Sequence, residues 1–262
     1  MKQTMNQSNF TFDPKEHVYT LDGKPMTGMT TILGVLNKPA LVQWAADMAV
    51  DYAIENARGC EIVEDGENKG KKRWFILDET LKEARLAHRK KKEDAAAKGT
   101  DTHALVEEYI NDCIGYGGEA LWSEDFLSAK GQRYYAPIQA FIDWAQREKI
   151  RFLASELQVY SRDLWVAGTM DFLFEKDGKK YIGDLKTYKK IWDRVPMFQC
   201  AGYGYLYKEM HGEDIAGYVV FNLPKERAHD PSQDVRWSFD VEGDTKAFMA
   251  CVELYRQLSN WK

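Results

Sequence analysis

Residues 166–186 read VAGTMDFLFEKDGKKYIGDLK, and the Asp177-Gly178 step in their middle sets the fold. Runs rich in Val, Phe, Tyr and Ile flank it, over 166–175 and 179–187. Asp-Gly between two such runs is the strongest short-range signal for a two-residue hairpin. With Asp177 and Gly178 as the loop, Lys176 pairs with Lys179, and Asp171 falls directly opposite Asp184. Directly opposed residues have Cβ atoms about 4.5–5.5 Å apart, and like charges there destabilise the pair. The register therefore asks for a cation or a shared proton between the two carboxylates. Lys186 lies two residues beyond Asp184 and projects from the same face.

The hairpin's two faces fix that register. Met170, Phe172, Phe174, Tyr181, Gly183 and Leu185 make a core-facing surface. Thr169, Asp171, Leu173, Glu175, Lys180, Ile182, Asp184 and Lys186 make the other. A slip of one residue would drive the carboxylates into the apolar layer. Asp171 and Asp184 could still decorate a solvated face, but Leu173 opposite Ile182 argues that this face is partly covered. Two carboxylates converging beside an ammonium outline a metal-dependent hydrolytic site.

Working outward, the chain of 262 residues, 44% hydrophobic and 13% aromatic, is long enough to bury one sizeable core. No stretch approaches the ~18 apolar residues of a membrane span, and residues 1–9 lack the apolar centre of a secretory signal. Cys60, Cys113, Cys200 and Cys251 are scattered, without a CxxC. That pattern argues against a disulfide framework, a zinc ribbon or an iron–sulfur cluster and suits a reducing cytoplasm. All four thiols are expected to be buried and inert.

The net charge of −5 hides a strong asymmetry. Residues 69–98 carry eleven Lys and Arg, Arg89, Lys90, Lys91 and Lys92 among them, against five acids, which is +6 against −11 for the remainder. A basic stripe on an acidic protein is the footprint expected of phosphate contact, or else a solvated helix face.

Before the hairpin, the pattern predicts a small hairpin over 18–23 and a short helix through 31–33. A helix follows from Pro39 to about residue 58, stopped by Gly59. Residues 59–76 read as a loop or ragged hairpin. Asp78 is expected to cap a helix carrying the basic stripe to residue 98, Gly99-Thr100 to break it, and a second helix to run over 101–114. There His103, Val106, Ile110 and Cys113 share a face. A long amphipathic helix spans 123–149. Beyond it come a strand over 152–160, the central hairpin, a helix over 196–210 closed by Gly212, strands near 217–223 and 235–241, and a last helix from about 245. The expected architecture is α+β, a mixed sheet with an antiparallel meander and flanking helices. It reads as one domain over 1–262: a mainly helical part over 1–150, a sheet core over 151–241 and a terminal helix over 242–262.

Four ordered elements resemble the PD-(D/E)xK nuclease superfamily, specifically its RecB-like exonuclease branch. They are Gly99-Thr100-x2-His103, Gly168-Thr169-x-Asp171, Asp184-Leu185-Lys186-Thr187 and Gln199-x3-Tyr203, which together span about 105 residues. The segment around Met29-Thr30-Thr31-Ile32-Leu33 and the helix carrying Trp44 are similar to the N-terminal part of phage and mitochondrial genome-maintenance exonucleases in that branch.

The resemblance implies a restriction-endonuclease-like core and Mg²⁺ or Mn²⁺ held by His103, Asp171, Asp184 and the main-chain carbonyl of Leu185. Hard oxygens suit Mg²⁺, and an imidazole widens tolerance to Mn²⁺. It further implies that Lys186 orients the attacking water, and that Gln199 and Tyr203, one helical turn apart, contact nucleic acid or brace the catalytic groups. Glu156 would assist a second metal or pair with a lysine. The cysteines match neither the position nor the clustering of the iron–sulfur-binding CRISPR-associated branch, and no GxxxxGK[ST] is present, so a stand-alone nuclease is implied.

The leading expectation is a metal-dependent DNA exonuclease acting on single strands or duplex ends in recombination, repair or replication. A single-strand-binding or annealing protein is an admissible partner. An endonuclease of the same fold is the nearest alternative, and a non-catalytic nucleic-acid-binding module is one of a different class. A glycosidase needs two carboxylates but no neighbouring lysine.

Overall fold

The computed structural model describes residues 9–36, 39–120, 135–188, 191, 193–223 and 235–260, of which 39–41, 92, 94–101 and 135–137 are described by their main chain alone. The chain is α+β with a mixed sheet. It divides into two compact units, Met1–Leu36 with Asp101–Lys262, and Asn37–Thr100.

In the larger unit, short strands β1 (Phe10–Asp13), β2 (Val18–Leu21) and β3 (Lys24–Pro25) form an antiparallel sheet. The β2–β3 turn is the expected Asp22-Gly23, both at positive φ. β4 (Thr27–Gly28) then leads into α1 (Met29–Leu33). The hairpin and short helix expected here are both present; β1 and β4 are additions, strands too short to show an alternating pattern.

The main sheet has the order β11-β10-β9-β8-β4, with β7 also on β8. Its members are β7 (Arg151–Ser161), β8 (Val166–Lys176), β9 (Lys179–Lys186), β10 (Gly217–Asn222) and β11 (Val235–Ser238). β7, β8 and β9 form the antiparallel meander. β10 runs parallel to β9, as the helical crossover α6 (Val195–His211) between them requires. Gly212 closes α6 at φ 71°, donating its N–H to the carbonyl of Lys208, the left-handed cap that glycine adopts freely. α7 (Val241–Ser259) starts earlier than expected because the Asp240 carboxylate accepts the N–H of Gly243 at 3.0 Å.

Both faces of the sheet are buried. α1, α6 and α7 cover Leu173, Ile182 and Val220 on one side. On the other, α4 (Ala87–Gly115) and α5 (Tyr135–Arg147) cover Phe152, Phe172, Phe174 and Phe221. Each phenylalanine fully buried there contributes about 1.5–3 kcal/mol. The expected helix over 123–149 is seen from 135; residues 121–134 lie outside the described set.

The smaller unit holds α2 (Pro39–Glu55), the hairpin β5 (Gly59–Ile62) with β6 (Lys72–Phe75), α3 (Asp78–Ala84) and the start of α4. Two expectations fail here. α4 runs unbroken through Gly99-Thr100, since glycine inside a helix costs only about 1 kcal/mol against alanine; the break falls instead between α3 and α4. Asp78 is the first residue of α3 rather than its cap, and the cap position, Leu77, makes no side-chain bond. Among the cysteines, Cys113, Cys200 and Cys251 are buried, but Cys60 is exposed on β5. Among the described residues no helix is long and apolar enough to cross a membrane.

Candidate active site

The central hairpin takes the expected turn and register. Asp177 and Gly178 sit at φ 52° and 70°, the pair of positive angles that a type I′ turn needs. Lys176↔Lys179, Glu175↔Lys180, Phe174↔Tyr181, Leu173↔Ile182 and Phe172↔Gly183 are partners. The ladder ends there, one step short of Asp171 and Asp184. Instead of a main-chain bond, the Asp171 carboxylate accepts the N–H of Leu185 at 2.5 Å. On the same side of β8, β4 pairs only with Val166 and Ala167. Gly168–Asp171 therefore lies in a fork between β4 and β9.

β7 shapes the other side of Asp171. Glu156 falls between the pairs Ser155↔Phe172 and Leu157↔Met170, hence across from Asp171, and its φ is 48°. A non-glycine residue held there is strained, and such residues concentrate at functional sites. Side-chain alternation along β8 slips at this point. Val166 and Met170 lie in the α6 layer, whereas Phe172 and Phe174 lie in the α5 layer, so Met170 does not share the face expected for it.

Two glycines allow the close packing. A Cβ on Gly183 would meet the Phe172 ring at 1.9 Å, and one on Gly168 would meet Tyr203 Cε1 at 2.6 Å and Met29 Cβ at 3.1 Å. Gly168 thus lets the Tyr203 ring lie against the strand. Thr169 binds the Tyr19 hydroxyl at 2.9 Å.

Asp184, on β9, is 1% exposed. Lys186 Nζ lies 2.5 Å from its Oδ2 and pairs with it, whereas Oδ1 has no hydrogen-bond partner among the described residues. A buried carboxylate so placed needs a cation. Lys186 also lies 3.5 Å from Gln199 Oε1, and Gln199 Nε2 donates to the Tyr203 hydroxyl at 3.0 Å. Gln199 thus bridges Lys186 and Tyr203 across α6.

The electrostatics follow from burial. Burial raises the Asp184 carboxyl against the pull of Lys186, with Asp171 raising it further. Asp171 is likewise raised by burial, against Lys186 and the Leu185 N–H. Lys186 is raised although burial opposes it, because Asp184 and Asp171 hold its proton. His103, on α4, is lowered by burial and by Lys186, which favours the neutral imidazole. Glu156 is solvent-exposed. The buried flank of its carboxyl, then Asp171 and Glu107, nevertheless push it up to about 7.

His103, Glu156, Asp171, Asp184, Leu185, Lys186, Gln199 and Tyr203 are therefore gathered at one place. Glu156 meets acids rather than the lysine that one reading gave it. Glu107 was missed, although it stands four residues after His103, on the same helix face. Asn222 was missed too; it exchanges hydrogen bonds with the main chain of Tyr188 at 3.0 and 3.1 Å and pins the segment leaving β9. Arg89, Lys90 and Lys91 are exposed in the smaller unit; the side chain of Lys92 lies outside the described set.

Among the described residues, no three His, Cys, Asp or Glu side chains are arranged to close on a metal ion. The carboxylates are turned to internal partners, Asp171 to the Leu185 N–H and Asp184 to Lys186. The donors still suit a hard divalent cation in kind: Asp184 Oδ1 has no hydrogen-bond partner among the described residues, Asp171 is beside it, and burial disfavours charge on His103.

No protein-family model matches the chain, and no curated protein matches it. Among solved structures, one similar chain is a crystal structure of a protein designated SSO0001. It has 9% identity and a TM-score of 0.25, over 60% of this chain and 87% of that one. A TM-score that low carries no argument for fold or function.

Proposed function

We propose that this chain is a Mg²⁺- or Mn²⁺-dependent deoxyribonuclease of the PD-(D/E)xK superfamily, RecB-like branch, with a restriction-endonuclease-like core. In this reading it is an exonuclease working from single-stranded or duplex ends in recombination, repair or replication. The observation that carries the proposal is Asp184, buried with Oδ2 paired to Lys186 and Oδ1 without a hydrogen-bond partner among the described residues, beside Asp171 and His103. A structural ion pair would use its oxygens fully, and a solvated carboxylate would not be buried.

His103, Asp171, Asp184 and the carbonyl of Leu185 would hold the ion. Once bound, it would polarise the scissile phosphate and lower the pKa of a water. The protein's own groups do the rest. Lys186 keeps its proton, so its ammonium can orient the attacking water and stabilise charge gathering on the phosphate. Gln199 gives Lys186 a second partner beside Asp184, and Tyr203 holds Gln199 in place. Hydrolysis adds water across one P–O bond, and the departing oxygen leaves with a proton.

The test is a digestion series on end-labelled linear and on circular single-stranded DNA with Mg²⁺, Mn²⁺ or EDTA. Cleavage should need the metal and a free end. Asp184→Asn should abolish it while leaving the circular dichroism spectrum and DNA binding intact. Cleavage by that variant within tenfold of wild type would remove the metal-site assignment. Nicking of circular DNA at the linear rate would turn the reading to an endonuclease.

A further inference from the structure

The fork leaves one edge of β8 without a strand neighbour. β4 stops pairing at Ala167 and β9 begins at Phe172, so Gly168–Asp171 has β7 beside it on the opposite edge and no strand on this one. Whatever steadies β8 there must come from side chains.

Tyr19, on β2, reaches into the gap. Its hydroxyl meets Thr169 Oγ1 at 2.9 Å, although the two residues are 150 positions apart. Thr169 stands two residues before Asp171. Burial raises the Tyr19 phenol, the bond to Thr169 lowers it, and the Glu156 carboxylate raises it. The phenol thus lies within the field of Glu156, the residue across from Asp171.

The ring that carries this hydroxyl is braced. Tyr19 is 3% exposed, stacked on Phe12 at 4.5 Å with His17 edge-on at 5.8 Å. Met26 donates its N–H to the Tyr19 carbonyl at 2.8 Å. The small sheet is in turn fastened to the β7–β8 turn. Arg162 pairs with Asp22 at 2.8 Å, and Trp165 Nε1 donates to the carbonyl of Pro25 at 2.8 Å. A purely structural cover over Ala167 needs apolar area alone, which a phenylalanine supplies as well. Tyr19 adds a polar atom at its buried end, and that atom meets β8 where the strand lacks a neighbour.

We propose that Tyr19 is a positioning residue. Acting through Thr169, it holds β8 at Gly168–Asp171 and sets the place from which Asp171 ligates a divalent cation. Groups that orient a metal ligand without touching the metal are worth roughly 10–100-fold in affinity or activity. The choice of ion rests on the metal-dependent reading above.

The test measures Mn²⁺ binding to the full chain by electron paramagnetic resonance, without nucleic acid. Tyr19→Phe keeps the ring, removes the hydroxyl and should weaken binding about tenfold. Thr169→Val should do the same, the double variant should lose little more, and Thr169→Ser should bind as wild type does. With end-labelled DNA at limiting Mn²⁺, Tyr19→Phe should lower kcat about tenfold with KM for DNA unchanged, and saturating Mn²⁺ should restore it. A merely structural hydroxyl would lower the urea midpoint in EDTA and leave these constants alone. Mn²⁺ affinity within twofold of wild type in Tyr19→Phe or in Thr169→Val overturns the positioning role and leaves the metal site standing. Tyr19-dependent Mn²⁺ binding by a chain that cleaves no DNA overturns the nuclease reading and leaves the positioning role standing. A wild type that binds no Mn²⁺ overturns both.

Discussion

Gly183→Ala puts a methyl group where the structure has no room. Its Cβ would lie 1.9, 2.1 and 2.4 Å from three carbons of the Phe172 ring, against 3.4–4 Å in ordinary contact. The ring must therefore withdraw by about 1.5 Å. Phe172 is 0% exposed and is hemmed in by Phe141 and Phe174 at 5.6 Å and Phe152 at 6.0 Å. Overpacking a filled core costs about 1–3 kcal/mol, and a ring enclosed on all sides belongs at the upper end. Because φ at Gly183 is not positive, alanine recovers about 0.5–1 kcal/mol of chain entropy. The net loss is then about 2 kcal/mol, or roughly 4–8 °C in Tm for a chain of this size. Urea denaturation in EDTA measures it. Phe172→Leu in the same chain makes room, so the double variant should be more stable than the two single variants predict, by about 1 kcal/mol. A Gly183→Ala effect below about 0.5 kcal/mol, or strict additivity, would refute the packing argument.

His103→Ala should lower activity at limiting Mn²⁺ and recover in part at high Mn²⁺; an unchanged Mn²⁺ titration would return His103 to the core. Reversing Arg89, Lys90, Lys91 and Lys92 to Glu should weaken DNA binding across sequences. It should also flatten the salt dependence by about 0.7–0.9 for every phosphate that the stripe neutralises in the wild type. Turnover at saturating substrate should change little, and an unaltered slope would make the stripe a solvated face. Glu156 is raised from 4.5 to about 7, so its stabilising contribution is complete below pH 4.5 and is lost as pH rises through 7. Glu156→Gln should therefore flatten the pH dependence of the urea midpoint across that window in EDTA, with a modest gain at pH 8; parallel curves would show that the carboxyl is unstressed.

The parts legible in the sequence were those fixed by neighbours in the chain. The Asp177-Gly178 turn set the hairpin register, alternation placed Phe172, Phe174 and Leu173, and Gly212 ended α6. Other features depend on contacts distant in sequence. Nothing local marks the left-handed Glu156 or the face switch at Met170. Two residues of β4 are too few to show a pattern. α4 passes through Gly99-Thr100 because tertiary packing of Val106, Ile110 and Cys113 outweighs a local breaker. The candidate site was legible as a set of residues, whereas the inward turn of its carboxylates depends on the Leu185 N–H and the Lys186 head group.

The fork at Gly168–Asp171 carries a consequence for the order in which the molecule assembles. One arm, the β8–β9 hairpin, joins residues as close as Lys176 and Lys179 and can form in microseconds. The other joins Thr27 to Val166, a loop of most of the chain. Such a loop costs little more to close than a short one, because the penalty grows only with the logarithm of length, but it is slow to find. The carboxylates would thus be gathered early and the notch around them closed late. During folding, the interior that holds these carboxylates would stay open to water until the N-terminal strand docks.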